Sequence, residues 1–272
     1  MPKYDIINYW SEVKLDILRK YAQAYSTIMA KQTKIRHVYI DAFAGTGEHI
    51  SKATGEFVPG SPLNALAVRP PFHEYHLIDL EAEKTQHLRQ MTAQEPNVHI
   101  YTGDCNNVLL SDVFPRVHYE DYRRALCVLD PYGLTLNWQV MFEAGQMRSV
   151  EIFLNFPIMD MNRNVLRKNP EKVSQSQMER LEAFWGDSSW REAAYSTEGW
   201  LFGEGKTDNA AVVEAFRKRL KMVAGFEYVP QPMPMRNSAG SVVYYLFFAS
   251  PNRIGAKIVT EIFNKYRERR DA

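Results

Sequence analysis

Four short segments carry residues whose types and spacing could do chemistry. The first is Asp41-Ala42-Phe43-Ala44-Gly45-Thr46-Gly47, which follows the apolar run Val38-Tyr39-Ile40. Glycines at 45 and 47 let a chain turn tightly and bring its backbone against a ligand where any Cβ would intrude. Position 50 is Ile50, so the dinucleotide spacing GxGxxG is incomplete, and no Lys-Ser/Thr pair follows as a phosphate loop requires. The loop suits a nucleoside cofactor, with Asp41, Phe43, Gly45 and Gly47 as candidate contacts. A tight turn with no ligand is the plain alternative. Asp79 ends the apolar run Tyr75-His76-Leu77-Ile78, where an acid can accept hydrogen bonds from ribose hydroxyls. The same acid suits the first turn of a following helix. Asp104, in Gly103-Asp104-Cys105-Asn106-Asn107, could accept the exocyclic amine of an adenine ring or cap the next turn.

The fourth segment is Leu129-Asp130-Pro131-Tyr132-Gly133. Pro131 removes a backbone donor and fixes the chain, leaving the preceding carbonyl free to accept. Asp130 and that carbonyl can take the two hydrogens of an –NH₂ group while Tyr132 stacks on the ring, holding the nitrogen in line with a methyl donor. Asp130, Pro131 and Tyr132 are therefore the candidate catalytic residues, against the alternative of an Asp that caps the next helix. Asn155, in Asn155-Phe156-Pro157, ends a further strand-like run and could orient substrate or cap. Arg163, Arg167 and Lys168, with Trp185, Trp190 and Trp200, offer the cations and stacking surfaces that a single-stranded nucleic-acid groove uses. A solvated face over core tryptophans is the competing interpretation. No Cys/His/Asp cluster has zinc spacing and no GxSxG elbow occurs, so neither a metal site nor a serine hydrolase is expected.

The elements that must position these residues follow from periodicity. Val13, Leu15, Leu18, Tyr21, Ala22, Tyr25, Ile28 and Met29 recur at spacings of three and four, predicting an amphipathic helix over residues 5–31. From His37 to Pro157, short apolar runs alternate five times with amphipathic stretches, the pattern of a parallel sheet with helices on both faces. Ligands of such sheets bind at the carboxyl ends of the strands. About fifty polar residues, 158–208, then interrupt the pattern and are expected to be a helical insertion within a single domain of residues 1–272. A helix over Asn209–Met222, two strands around the turn Asn237-Ser238-Ala239-Gly240 and a helix from Asn252 to about Arg269 complete the chain. This is an α/β chain with the strand inventory of the seven-stranded, Rossmann-like fold of class I S-adenosylmethionine-dependent methyltransferases: a mostly parallel sheet closed by an antiparallel hairpin.

The motifs DxFxGxG, an acid after the second strand, GDCNN and DPYG resemble those of amino-group methyltransferases that modify nucleic-acid bases. The layout resembles more closely the three-Cys-motif partner family: WSEVKLDILRKY, DAFAGTG, GSPLNAL, HLIDL, LDPYG, NFP followed by NRN, and FASPNRIGAKIV, covering roughly residues 8 to 265. That resemblance implies a methyltransferase fold, S-adenosylmethionine as cofactor, and a neighbouring partner protein similar to radical S-adenosylmethionine enzymes with a three-cysteine motif. The second proline of the base-modifying motif DPPY is absent here, which brings Tyr132 one residue closer to Asp130. Two functions stand side by side: methyl transfer to an amine of a nucleobase in DNA or RNA, and service as a non-catalytic or obligatory partner.

Composition agrees with this class. The 272 residues carry 33 Lys+Arg against 32 Asp+Glu, a formal charge of +1, with 45% hydrophobic residues. That balance excludes disordered and collagen-like classes and gives no support to a surface that coats nucleic acid throughout. Cys105 and Cys127 read as two isolated reduced thiols. No window reaches the ~18 to 20 apolar residues of a membrane span, and the start MPKYDIINYW lacks a basic n-region before an apolar one, so a cytoplasmic protein without membrane partners is expected.

Overall fold

The computed structural model describes residues 4–167, 172–196 and 205–271. In chain order its elements are β1 (Asp5–Ile7), α1 (Tyr9–Met29), β2 (Arg36–Asp41), β3 (Glu48–Ser51), β4 (Phe57–Pro59), α2 (Ser61–Leu66), β5 (Glu74–Asp79), α3 (Ala82–Met91), β6 (Val98–Thr102), α4 (Cys105–Val108), β7 (Arg123–Leu129), α5 (Trp138–Met147) and β8 (Val150–Phe156). There follow α6 (Ile158–Asn164), α7 (Gln175–Trp185), α8 (Trp190–Ala194), β9 (Tyr195–Ser196), β10 (Gly205–Lys206), α9 (Asn209–Met222), β11 (Met233–Arg236), β12 (Val242–Ala249) and α10 (Arg253–Asp271).

The main sheet has seven strands in the order β11-β12-β8-β7-β2-β5-β6. β12 runs antiparallel to both neighbours, and the remaining pairs are parallel. This is the class I methyltransferase fold. The central strands are buried on both faces, as parallel strands between helix layers must be. Along β2 the alternation is explicit: Val38 and Ile40 join the core beneath α5, α7, α8 and α9, while Tyr39 joins the core beneath α1, α2, α3 and α10. The chain moves outward from β2 to β5 and β6, then returns to β7 on the other side of β2. Between β2 and β7 the connections therefore diverge, and the carboxyl ends of these strands border a crevice.

One local expectation is corrected. The first helix begins at Tyr9, because Asp5–Ile7 is a strand that pairs in parallel with β3 and Asn8 turns into the helix with extended backbone. β-branched Ile6 and Ile7 favour that choice. After Gly47 the chain forms β3 and β4, an antiparallel pair, before the helix over GSPLNAL starts at Ser61. The helices predicted over Asn209–Met222 and at the chain end are present, as is the closing antiparallel strand pair, and the described part of the insertion carries α6, α7 and α8.

Trp185 and Trp190, considered above as stacking surfaces, are each only 2% exposed. Trp185, Phe184 and Phe156 all contact Phe216 of α9, with ring centroids 4.7–5.6 Å apart, so α7 and α8 pack into the same core as the sheet face. Burying an indole recovers far more free energy than exposing it for stacking would, and the apolar ring cluster supplies the partners. Trp200 and Lys168 lie outside the described residues.

At the amino end of β8, Glu151 is 4% exposed and accepts hydrogen bonds from the Tyr21 and Ser250 hydroxyls. α10 reaches this carboxylate only because position 255 is glycine: a Cβ there would lie 2.6 Å from Tyr21 Oη and 2.8 Å from Glu151 Oε1. Burial raises the Glu151 pKa from 4.5 to about 7, against the two hydrogen bonds that favour the ionised form. A carboxyl whose folded pKa lies above its unfolded one contributes stability below the unfolded value and loses it as pH rises through the folded one. At 1.36 kcal/mol per pKa unit the loss between pH 4.5 and 7 is about 3 kcal/mol. Chemical denaturation across that pH range should show Glu151→Gln gaining on the parent by this order and holding a constant difference above pH 7. Parallel stability curves for the two proteins would contradict the assignment.

Candidate functional site

The glycine loop is held from below and from the side. Asp41, the last residue of β2, is fully buried, and its carboxylate accepts from the Tyr39 hydroxyl and the Phe43 N–H at 3.2 Å each. Burial pushes its pKa up to about 6. Asp41 thus supports the loop from inside rather than facing the crevice. The backbone runs on between β7 and β5 through Ala42 N to Val128 O and Ala44 N to Ile78 O. Gly45 and Gly47 both have positive φ, +62° and +85°. Their open faces differ: a Cβ on Gly45 would find its nearest neighbour, His49, at 4.0 Å, whereas one on Gly47 would lie 3.0 Å from Leu88 of α3. Gly47 therefore lies close against Leu88, with its positive φ favouring glycine, and Gly45 leaves free space.

Asp79, at the end of β5, closes the loop. One carboxylate oxygen accepts from Gly45 N–H at 2.8 Å, and the other from Glu81 N–H at 2.9 Å at the start of α3. Asp79 thus ties the glycine loop to the residue from which α3 starts. Asp104, beyond the end of β6, caps α4 by accepting from Asn106 N–H and Asn107 N–H, both on Oδ1. Phe43 is half-buried, with its ring against the core. Gly45, Asp79 and Asp104 therefore stand at the carboxyl ends of three successive parallel strands.

The second half of the site lies across the switch point. Strand register sets Asp41 opposite Val128 and Leu129 opposite Leu154, so Asp130 and Asn155 emerge side by side from β7 and β8. Asn155 Nδ2 donates to Asp130 Oδ1 at 2.8 Å, and Lys14 Nζ of α1 forms an ion pair with Asp130 Oδ2. The Lys14 side chain is 10% exposed and that of Asp130 31%; the ammonium also stands 5.6 Å from the Tyr244 ring centroid. Asp130 is not a helix cap, since α5 starts at Trp138 after Asn137; nor is Asn155, since Pro157 precedes α6. Tyr132 is 71% exposed and its hydroxyl donates to Asp5 of β1 at 3.3 Å. Asp5 also meets Lys84 of α3 at 3.5 Å, so β1 bridges the two halves of the crevice. Gly133 has φ +66°, and a Cβ there would approach Asp160 Oδ2 to 2.9 Å.

These groups line a cavity of about 420 Å³, whose walls include Lys14, His49, Asp130–Gly133, Asn155, Asp160 and Arg163. Arg163 is exposed at its rim, and Arg167 donates its Nε–H to the Arg163 carbonyl. Phe43, Gly45, Asp79 and Asp104 flank this cavity's strand ends without lining it. Lys14, His49, Asp5 and Asp160 escaped sequence reasoning. Lys14 had a signal: it stands three and four residues before Ile17 and Leu18, a cation on the buried stripe of an amphipathic helix. His49 had none, because β3 is set by its pairing with β1. Among the described residues, no group of three or more His, Cys, Asp or Glu side chains could hold a metal ion, both cysteines are buried free thiols, and no helix is long and apolar enough to cross a membrane.

No family model matches the sequence, and no curated protein matches it. Among solved structures, a protein from Legionella pneumophila str. Philadelphia 1 of the family DUF519 superposes with a TM-score of 0.54 at 10% identity, over 93% of this chain and 91% of that one. An S-adenosylmethionine-dependent methyltransferase from Leishmania major gives a TM-score of 0.41 at 9% identity, over 86% of this chain and 72% of that one. The methyltransferase domain of a bacterial Hen1 protein gives 0.41 at 8% identity, over 86% and 99%. At such identities the likeness to the Legionella protein is one of fold, and the strand order is that of class I methyltransferases.

Proposed function

We propose that this protein binds S-adenosylmethionine at the ends of β2, β5 and β6 and transfers its methyl group to an amino group held at the DPYG turn, that of a nucleobase. The observation that carries the reading is the meeting of two motifs at the switch point: a glycine loop tied to Asp79, and an Asp-Pro-Tyr-Gly turn with a polar cavity one strand away. The residues fit the cofactor. Asp79 retains lone pairs on both carboxylate oxygens for ribose hydroxyls, Gly45 leaves its Cα face open, and Asp104 stands over the end of β6. When bound, the cofactor supplies an already activated methyl on a sulfonium.

The chain's own residues supply placement. Asp130 and the carbonyl before the N–H-less Pro131 offer acceptors, and the exposed Tyr132 ring offers a stacking face. Lys14 balances the charge of Asp130 and fixes its orientation. Arg163 at the rim is placed to meet a phosphate of a nucleic-acid substrate. A second reading, a partner of an enzyme resembling radical S-adenosylmethionine proteins, is favoured by Met222 (79% exposed) and Ile254 (56% exposed). Both border a broad concavity far from the crevice, beside the closing FASPNRIGAKIV motif. Cofactor binding without turnover on DNA or RNA, together with a stable complex with a co-expressed three-cysteine protein, would select that reading.

Calorimetry should detect S-adenosylhomocysteine binding to the folded protein. Asp79→Ala should weaken it by about 1.5 to 3 kcal/mol, the value of charged hydrogen bonds; Asp79→Asn, which keeps an acceptor for Gly45 N–H, should lose less. A folded protein that gives no heat with either the donor or its product removes the cofactor reading.

The Lys14–Asp130 pair yields a separate expectation. Lys14→Ala and Asp130→Ala each strand a partly buried charge, so a double-mutant cycle in unfolding free energy should show a coupling of about 1 to 2 kcal/mol. Asp130→Asn, which keeps the shape, should leave S-adenosylhomocysteine affinity within a few fold while methyl transfer falls. Equal loss of affinity and transfer would assign Asp130 to loop support.

A further inference from the structure

A second concavity, of about 700 Å³, lies at the edge strand β11 and adjoins the crevice. Its walls include Tyr9, Trp10, Met233, Pro234, Arg236 and Arg267. The first turn of α1 separates the two: Asn8 and Ser11 line the crevice, whereas Tyr9 and Trp10, between them in sequence, line the groove. Residues three apart share a helix face and those between point elsewhere, so this turn is a ridge with a concavity on either side. The sheet connects them as well. Tyr245 of β12 pairs with Phe156 at the carboxyl end of β8, and Met235 and Arg236 of β11 pair with Tyr244 and Val242. The end of β11 therefore stands at the same rim of the sheet as the crevice, which Val243 and Tyr244 line. The Tyr244 hydroxyl donates to the Trp10 carbonyl at 3.3 Å and holds the ridge against β12.

The groove is cationic. Two guanidinium groups line it and, among the described residues, no carboxylate does. Arg267 donates to neutral acceptors, Asn264 Oδ1 at 2.9 Å and the carbonyls of Gln231 and Pro232 at 3.1 Å, which orient it without cancelling its charge. Arg236 is exposed, and its Nη1 donates to the Gly240 carbonyl at 2.8 Å, which holds it at the hairpin turn. Tyr9 is 65% exposed and Trp10 is half-buried. Aromatic rings beside guanidinium groups match a polyanion with planar units, whose bases stack on the rings while its phosphates meet the cations. A peptide strand added to the edge of the sheet fits less well, because Pro234 within β11 has no N–H to offer it.

We infer that this groove holds the nucleotides that flank the target base of a single-stranded nucleic acid. The strand crosses the first turn of α1, with one base in the crevice beside Tyr132 and its neighbours at Tyr9 and Trp10. Arg163 on one side of the ridge, and Arg236 and Arg267 on the other, meet its phosphates. A duplex keeps its bases stacked on one another and out of reach of these rings. The inference rests on the nucleobase reading of the crevice and adds a binding surface outside it.

The test uses the whole chain and fluorescence anisotropy with a labelled single-stranded DNA of about twelve nucleotides, the RNA of the same sequence, and the DNA duplex. The tighter of the two single strands identifies the sugar preferred, and it should bind more tightly than the duplex. Tyr9→Ala should weaken that strand about ten-fold, the worth of one stacked base. Arg236→Gln and Arg267→Gln together should flatten the slope of log affinity against log salt by about 1.4, at about 0.7 per phosphate contact on a single strand. Tyr9, being exposed, carries the test should the arginine pair disturb the packing of β11. Unchanged S-adenosylhomocysteine affinity in the variants shows the crevice intact. Duplex binding equal to that of the single strand, no binding of either single strand, or an affinity and salt slope that the variants leave unchanged would each overturn the inference. Failure of the parent to bind S-adenosylhomocysteine would instead remove the methyltransferase reading, whereas the dependence of the single strand on Tyr9 is read without cofactor.

Discussion

A parallel sheet must bring every strand back over one of its faces, and the direction of those returns reverses once, between β2 and β7. Everything assigned to the site depends on that reversal. Connections that diverge leave no helix over the two strand ends, so the residues that follow them, Asp41 to Gly47 and Asp130 to Gly133, can border open space. Register then does the rest. Because Leu129 pairs with Leu154, Asp130 and Asn155 must emerge together, and an ion pair or hydrogen bond between neighbouring strand ends follows without long-range search.

α1 ties the two ends of this sheet to each other. Lys14 and Tyr21 are seven residues apart, two turns and about 10 Å along one face. Lys14 reaches Asp130 at the carboxyl end of β7, and Tyr21 reaches Glu151 near the amino end of β8. Between them Ile17 and Leu18 fill the core. A buried polar group at each end is partnered: Glu151 by two hydroxyls, Lys14 by a carboxylate and a tyrosine ring. The helix that the sequence marks only as amphipathic is thereby a structural member of the site.

In the insertion between β8 and α9, packing chooses between the two readings that composition left open. Its tryptophans and cations are those of a nucleic-acid groove, yet Trp185 and Trp190 are interior. Phe216 gathers Phe156, Phe184 and Trp185 around itself, and an aromatic cluster of that kind outweighs any benefit of leaving an indole in water. Of the features read there, Arg163 keeps a place at the cavity.

The sequence by itself determined the α/β class, the strands of the main sheet and the closing hairpin, because burial on two faces forces continuous apolar strands and burial on one forces helical stripes, and both periods are visible along the chain. It also marked the strand-end acids Asp79, Asp104 and Asp130, since an acid or glycine directly after an apolar run is a local pattern. Only the tertiary structure decided which way those groups face. Asp41 turns inward under its loop, Gly47 serves packing against Leu88, and Asp130 is shared by Lys14 from 116 residues away and Asn155 from 25 away. The β1–β3–β4 sheet was equally hidden, because its strands are three or four residues long and exist through pairing with one another. Periodicity records the environment of a residue along its own element; contacts between elements depend on register and connection, which no local window contains.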